Sequence, residues 1–383
     1  MTLVKKHHPN YQLIASFGLI LIFGLIMLTS ASQVVGLDKF ADPYYHLKHQ
    51  LLKGVLPGFI CLLVAAKIPY KFWRRLAFPL FIVSIILLLL VFIPGLNFSH
   101  NGAKRWLVFG PLNFQPTEFV KVGAIIFFAA WFSLKKKLEE IKSFQYTLLP
   151  FISYLGMITA LIALEPDIGT LSVIVLAVLA IYWVAGARFL HLALLALLGI
   201  VAFLILILAA PYRLARVTSF FNPESDVSGS SYQINQSLIA VGSGGLFGQG
   251  LGQSKQKYQY LPEVVGDSIF AVIAEELGYL ITAAFLLLYL FFITLCYQVA
   301  ARSPDFFGKF IATGIATWLA YQALINVSSM VGVTPLTGLP FPFLSYGSSS
   351  MIATLIAVGL LINISQYTYT PTLAPLKSKK RTK

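Results

Sequence analysis

The chain of 383 residues is 58% hydrophobic and only 11% charged, with a mean hydropathy of +0.81. A soluble domain is about 45–50% apolar, so a soluble globular protein is excluded. The net charge of +14 fits basic anchors beside anionic lipid headgroups better than a nucleic-acid surface, so no nucleic-acid partner is expected.

Ten apolar runs follow in order: Leu13–Val35, Leu51–Ile68, Leu76–Pro94, Phe119–Leu134, Leu148–Leu164, Thr170–Ala185, Leu190–Ala210, Ile269–Gln298, Phe306–Val331 and Ser349–Ser365. A crossing takes roughly 17–25 residues. In lipid the backbone must satisfy its own hydrogen bonds, so such runs predict α-helices. The expected fold is therefore an all-α polytopic membrane protein of about ten transmembrane helices, forming one domain over residues 1–383. The first run has a longer apolar core than a cleaved signal, whose core is about 7–15 residues, and reads as a retained span. Cys61 and Cys296 both lie in apolar runs and suggest neither a disulfide framework nor metal spacing.

Most of the 28 Lys and Arg fall on one side if the N-terminus is inside, which is the orientation that cytoplasmic basic loops favour. Both termini are then cytoplasmic, and residues 366–383 form a basic tail ending in "KSKKRTK". Three long polar segments face outward: Gly95–Glu118, Pro211–Ser268 and Gly332–Ser348. The largest, residues 211–268, far exceeds the usual connection of about 4–6 residues, and its aromatic, Gly and Pro content suggests an ordered, functional loop. The short corner Glu165–Thr170, "EPDIGT", is on the same side.

The acids and cations concentrate at these outer ends. Asp267 stands just before the eighth run, either as a helix N-cap or as a reactive carboxylate. A helix starting there carries a stripe of small residues through Ala271, Ala274 and Gly278, suited to close packing in lipid. Glu275 lies roughly 80° from that stripe and Glu276 nearly opposite; both read as buried polar members of the span. Glu118 and Lys121 are one turn apart, an ion pair or part of a cavity. Glu165 and Asp167 share the corner, where Asp167 is also a candidate cap. The glycine-dense stretch Val241–Lys255 matches neither a dinucleotide fingerprint nor a P-loop; it is a tight turn or a place of close backbone approach to a ligand. Ser345 lacks a nucleophile elbow, and the outward histidines His46, His49 and His100 provide no triad and too few ligands for zinc.

Such an outward polar cavity suits a lipid-linked anionic sugar. Arg105, Lys121, Lys255 or Lys257 could neutralise a diphosphate, and a partly desolvated carboxylate could act as general base toward a sugar hydroxyl. These residues alone do not separate a transferase from a flippase.

The motifs "NGAKRWLVFGPLNFQPTEFVK", "EPDIGT", "GGLFGQGLG", "YLPEVVGDSIFAVIAEELG" and "TGLPFPFLSYGSSS" resemble, in order and over nearly the whole chain, those of the SEDS family (shape, elongation, division and sporulation), of the FtsW/RodA/SpoVE type. The resemblance implies a peptidoglycan glycosyltransferase that polymerises lipid II at the outer face of the bacterial plasma membrane. It implies a class B penicillin-binding transpeptidase as partner, among other divisome or elongasome membrane proteins. The family's catalytic acid falls within L-P-E-x-x-x-D, here at Asp267, with Glu263 in the loop before it. Glu118 and Lys121 match its Q-P-[ST]-E-x-x-K element, Glu165 and Asp167 its E-P-D-x-G-T corner, and Ser345 lies in its last motif. Two departures stand out: Val265-Gly266 precede the acid where His-Thr is frequent, and Ser348 replaces a frequent Gly. The stretch "LTSASQVVGLDKFADPYYHLKHQ" looks more like the division branch, which implies the septum. A divalent cation, Mg or Mn, on Asp267 and the leaving diphosphate is an expectation that no ligand set in the sequence demands. A lipid II flippase and a non-catalytic scaffold for the transpeptidase are the alternatives.

Overall fold

The computed structural model describes residues 6–100, 103–109, 112–135, 137–209, 214, 218, 220 and 229–368. Part of the 211–268 loop and most of the basic tail therefore lie outside the described residues. Among the described residues, ten helices are long and apolar enough to cross a membrane. They are α1 (Tyr11–Phe40), α2 (Tyr45–Lys67), α3 (Tyr70–Leu90), α4 (Pro116–Leu134), α5 (Phe144–Leu164), α6 (Ile168–Ala185), α7 (Phe189–Leu208), α9 (Ile269–Ala301), α10 (Phe306–Met330) and α11 (Ser348–Ser365). A shorter helix, α8 (Ser230–Ser243), sits in the large loop. Each expected apolar run is met by one helix.

Two local features escape a hydropathy reading. The segment after α3 folds into a small antiparallel sheet, β1 (Asn97–His100), β2 (Ala103–Phe109) and β3 (Leu112–Phe114), in that order. Helices α2 and α5 contain π-helical turns at Gln50–Val55 and Phe144–Leu148.

Helices α4, α10 and α11 form the buried centre, whereas α7 lies at the periphery. The centre packs closely because small residues face their neighbours. A Cβ on Gly314 would lie 2.8 Å from Ile181 and 2.9 Å from Ile125, so α10 meets α4 and α6 at near-backbone distance. Gly359 meets Leu62 and Ala65 of α2 in the same way.

The described ends of the chain lie together. His7 N–H donates to the Gln366 carbonyl at 2.8 Å, and Asn10 N–H to Ser365 Oγ at 3.1 Å. The sheet, the "EPDIGT" corner, α8 and the loop before α11 occupy the opposite end.

Helix α9 is not continuous. Gly278 has φ 72° and ψ 179°, a backbone region open essentially to glycine alone. It divides α9 into a short first half and a 23-residue second half. The stripe expected through Asp267, Ala271, Ala274 and Gly278 therefore does not form: the helix starts at Ile269, after Asp267, and breaks at Gly278.

Candidate active site

The corner between α5 and α6 is clamped from two sides. Asp167 caps α6 by accepting from Thr170 N–H at 3.2 Å, and its second oxygen accepts from Gln115 Nε2 at 3.2 Å. Arg105, on β2, donates through Nε to the Glu165 carbonyl at 3.1 Å and through its terminal nitrogen to the Pro166 carbonyl. Glu165 itself is fully buried, and among the described residues neither carboxyl oxygen has a hydrogen-bond partner. Burial, reinforced by the neighbouring Asp167 charge and opposed by Arg105, pushes its pKa up to about 9, so the group is neutral at pH 7.

Lys121 stands one turn inside α4. It pairs with Glu118 at 2.9 Å, donates to Gln322 Oε1 at 3.1 Å and lies 4.7 Å over the Trp318 ring. Both charges are buried, and such a pair persists only when its remaining donors are satisfied. Trp318, Gln322 and Asn326 supply this environment from one face of α10, spaced four residues apart. Gln322 Oε1 also accepts from Trp318 Nε1 at 2.7 Å, and its Nε2 donates to the Pro340 carbonyl at 2.8 Å. One turn on, about 6 Å along the helix, Asn326 Nδ2 donates to the carbonyls of Leu339 and Asp267, each at 2.8 Å. A polar ladder thus joins the Glu118–Lys121 pair to Asp267.

Asp267 is half-buried, and its Oδ1 accepts from Gln233 Nε2 of α8 at 3.2 Å. The same Gln233 group donates to Ser268 Oγ at 3.0 Å. Ser268, not Asp267, holds the N-cap position of α9, which leaves the Asp267 carboxylate without a capping role. Val265, where His is frequent in the family resembled, acts through its backbone: its carbonyl accepts from Tyr346 N–H at 2.8 Å. A Cβ on Gly266 would lie 3.3 Å from Glu263 Oε2, the end of an exposed side chain that a small shift would clear. Glu263 is exposed, and Ser345 is buried with its hydroxyl accepting from Phe341 N–H at 2.8 Å. Both are loop-shaping positions. His46 is buried against Tyr346, with ring centroids 4.9 Å apart.

The remaining expected cations divide. Lys255 is exposed. Lys257 is buried and paired with Glu276 at 2.9 Å, so it braces the protein rather than lining an open cavity. Glu275 accepts from Ser254 Oγ at 2.5 Å and from Lys255 N–H at 2.9 Å. The glycine-dense stretch provides close backbone approach to α9. A Cβ on Gly248 would fall 2.2 Å from the Glu276 carbonyl oxygen. Four backbone bonds run between Gly245–Gly250 and Glu275–Leu280 at 2.8–3.2 Å.

Several of these motifs adjoin one another. Arg105, Gln115, Glu118, Lys121, Glu165, Asp167 and Asp267 are joined through the loop before α11 and the first turn of that helix, since Gly169 packs on Thr337 and Leu339 while Gln115 N–H reaches Ser349 Oγ at 3.0 Å. Gln115, Gln233, Gln322 and Asn326 are absent from the sequence-derived set, although Gln115 opens the Q-P-T-E stretch singled out above. Gln322 and Asn326 carried a readable signal, as polar residues one turn apart inside an apolar span; Gln233, in a polar loop, carried none.

Fold and site together define a polytopic α-helical membrane protein with buried charges and polar side chains gathered at its loop-bearing end. The chain belongs to the family described as cell cycle protein, FtsW/RodA/SpoVE, whose model matches residues 11–370, and it is a multi-pass plasma membrane protein. It is 42% identical to stage V sporulation protein E of Bacillus subtilis, over 95% of this chain and 98% of that one. It is 39% identical to the probable peptidoglycan glycosyltransferase FtsW of Trichlorobacter lovleyi, over 93% and 92%. Two solved structures share the fold at 26% identity. One, titled for structural coordination of polymerization and crosslinking by a peptidoglycan synthase complex, gives a TM-score of 0.76 over 93% of this chain and 97% of that one. The other, the rod shape determining protein RodA of Thermus thermophilus, gives 0.68 over 94% and 98%.

Proposed function

We propose that this chain is a peptidoglycan glycosyltransferase that polymerises lipid II, with its loop-bearing end facing outward, its termini in the cytoplasm and Asp267 as general base. The observation that carries the reading is the placement of Asp267: its carboxylate is held by Gln233, its carbonyl by Asn326, and its side chain stays half-exposed where the motifs meet. Asp267 takes the proton from the acceptor sugar hydroxyl. The freed oxygen attacks the donor's anomeric carbon, and the bond to undecaprenyl diphosphate breaks with its electron pair leaving on the diphosphate. Attack opposite the leaving group inverts the anomeric centre. Lys255 is the exposed cation nearest in sequence to the Asp267 loop and is available to the diphosphate. Arg105, Lys121 and the neutral Glu165 hold the cavity wall.

Among the described residues no group of three or more His, Cys, Asp or Glu side chains is placed to hold a metal ion. A Mg or Mn ion at Asp267 would need the substrate's diphosphate and water for most of its ligands. A class B transpeptidase is the proposed partner, in keeping with the synthase complex whose subunit shares this fold. The division septum is the proposed location, in keeping with the FtsW names of several relatives.

A flippase reading has less support. Around Lys121 the packed side chains are Ile125, Val173, Ile174, Ala177, Val178 and Trp318, an apolar surround that does not suit a sugar diphosphate. The test is purified protein in sealed vesicles with fluorescent lipid II and the transpeptidase partner. Glycan polymer is the expected product. Translocation without polymer would overturn the reading in favour of the flippase, and neither activity would favour the scaffold.

A further inference from the structure

We infer that Glu275 and Glu276, with Ser254, Lys257 and Ser30, form a buried latch that positions the Asp267 loop for catalysis. This rests on the proposal that Asp267 is the general base. All five side chains are buried, and the pattern links consecutive residues on each side.

Glu275 gathers three donors from the segment entering the loop: Ser254 Oγ at 2.5 Å, Lys255 N–H at 2.9 Å and Gln256 N–H at 3.4 Å. Ser254 Oγ in turn accepts from Lys257 N–H at 3.2 Å. Glu276 accepts from Lys257 Nζ at 2.9 Å and from Ser30 Oγ of α1 at 2.6 Å. Lys257 Nζ completes its shell on the Gly252 carbonyl at 2.7 Å. A carboxylate that collects backbone N–H groups and a hydroxyl makes charge-assisted bonds, roughly twice as strong as neutral ones.

Geometry turns these contacts into a positioning device. The chain leaves the latch at Lys257, runs through Tyr260–Asp267 and re-enters it at Glu275, one short half-helix later. Both ends of the loop are thereby tied to one point. A second tie to α1, Gln259 Nε2 to Asp38 Oδ2 at 2.8 Å, acts on the same loop. Without the latch, Asp267 would still hold Gln233 and Asn326, but the loop would lose its fixed entry. Misplacement of a reacting group by about 1 Å can cost on the order of a hundredfold in rate.

Steady-state polymerisation by the full-length protein with its transpeptidase partner separates the alternatives. Lys257→Met strands the Glu276 charge. Ser254→Ala keeps every charge and removes one hydroxyl. Both are expected to lower kcat about tenfold or more, with the KM for lipid II unchanged, and Ser254→Thr is expected to recover most of the loss. If Lys257→Met does not fold, the Ser254 pair decides. Wild-type kcat in Ser254→Ala, or a raised KM at unchanged kcat, overturns the latch. Asp267→Asn, run alongside, tests the underlying reading separately: its full activity would sink the general-base assignment whatever the latch variants do.

Discussion

Replacing Gly278 with alanine probes the contact on which the eighth span and the glycine-dense loop depend. An alanine Cβ there would lie 2.2 Å from Gly248 N and 2.5 Å from the Phe247 carbonyl carbon. Ordinary contact begins near 3.4 Å, so the loop must retreat by about 1 Å. The backbone region itself costs a non-glycine residue about 1–3 kcal/mol. The retreat disturbs the flanking bonds from Gln249, Gly250, Tyr279 and Leu280, each worth about 1 kcal/mol. Losing two gives a total of about 3–5 kcal/mol, a large part of a typical stability of about 5–15 kcal/mol. Gly245 is the matched control: its φ is +55°, but nothing lies within 4 Å of the added Cβ, so alanine there costs only about 1–2 kcal/mol. Thermal unfolding in detergent, read by a thiol-reactive dye reaching buried Cys296, compares the two. Gly278→Ala is expected to lower Tm by clearly more than Gly245→Ala. Equal shifts would refute the steric argument and leave only backbone preference.

Glu118→Gln leaves Lys121 buried with Gln322 and Trp318 but no counter-charge, a loss of about 3 kcal/mol or more, visible as a lower Tm; Glu118→Gln with Lys121→Met removes both charges and is expected to recover much of it. Glu165 has a folded pKa of about 9 against an ordinary 4.5, so the folded state holds the extra proton between those values. Its contribution is then fully present below about pH 4.5 and is lost as pH rises toward 9. Glu165→Gln is expected to flatten that decline in a Tm-versus-pH series, and an unchanged slope would show that Glu165 ionises normally. Gln233→Leu removes the donor shared by Asp267 and Ser268 and is expected to lower kcat about tenfold with little change in Tm, measured as polymer formed per minute.

The architecture was legible because lipid imposes a single rule: each apolar run must close its own hydrogen bonds. Each run accordingly met one helix, and the shared end of both termini followed from their even number. The break in α9 was not legible, because glycine within an apolar run reads as small-residue packing until another backbone is seen against it. The sheet was missed because β1 to β3 are short and interrupted by turn residues. Acids were easy to single out in a chain with so few charges, but their partners were not. Lys257 and Lys255 look alike in sequence, yet one is buried against Glu276 and the other exposed; only the fold decides which. The replacement of His-Thr by Val265-Gly266 raised the question of how Asp267 is set. Among the described residues Gln233, 34 residues earlier in the chain, donates to Asp267, and the Tyr346 to Val265 backbone bond fixes the turn before it.

The central claim is that Asp267 performs the chemistry of glycan polymerisation. The direct measurement is the initial rate of lipid II polymerisation by purified Asp267→Asn in complex with its transpeptidase partner, against wild type at equal folded protein. Loss of polymer with lipid II binding retained is expected, because asparagine keeps the shape and the Gln233 contact but cannot accept the hydroxyl proton. Polymerisation at the wild-type rate would contradict it.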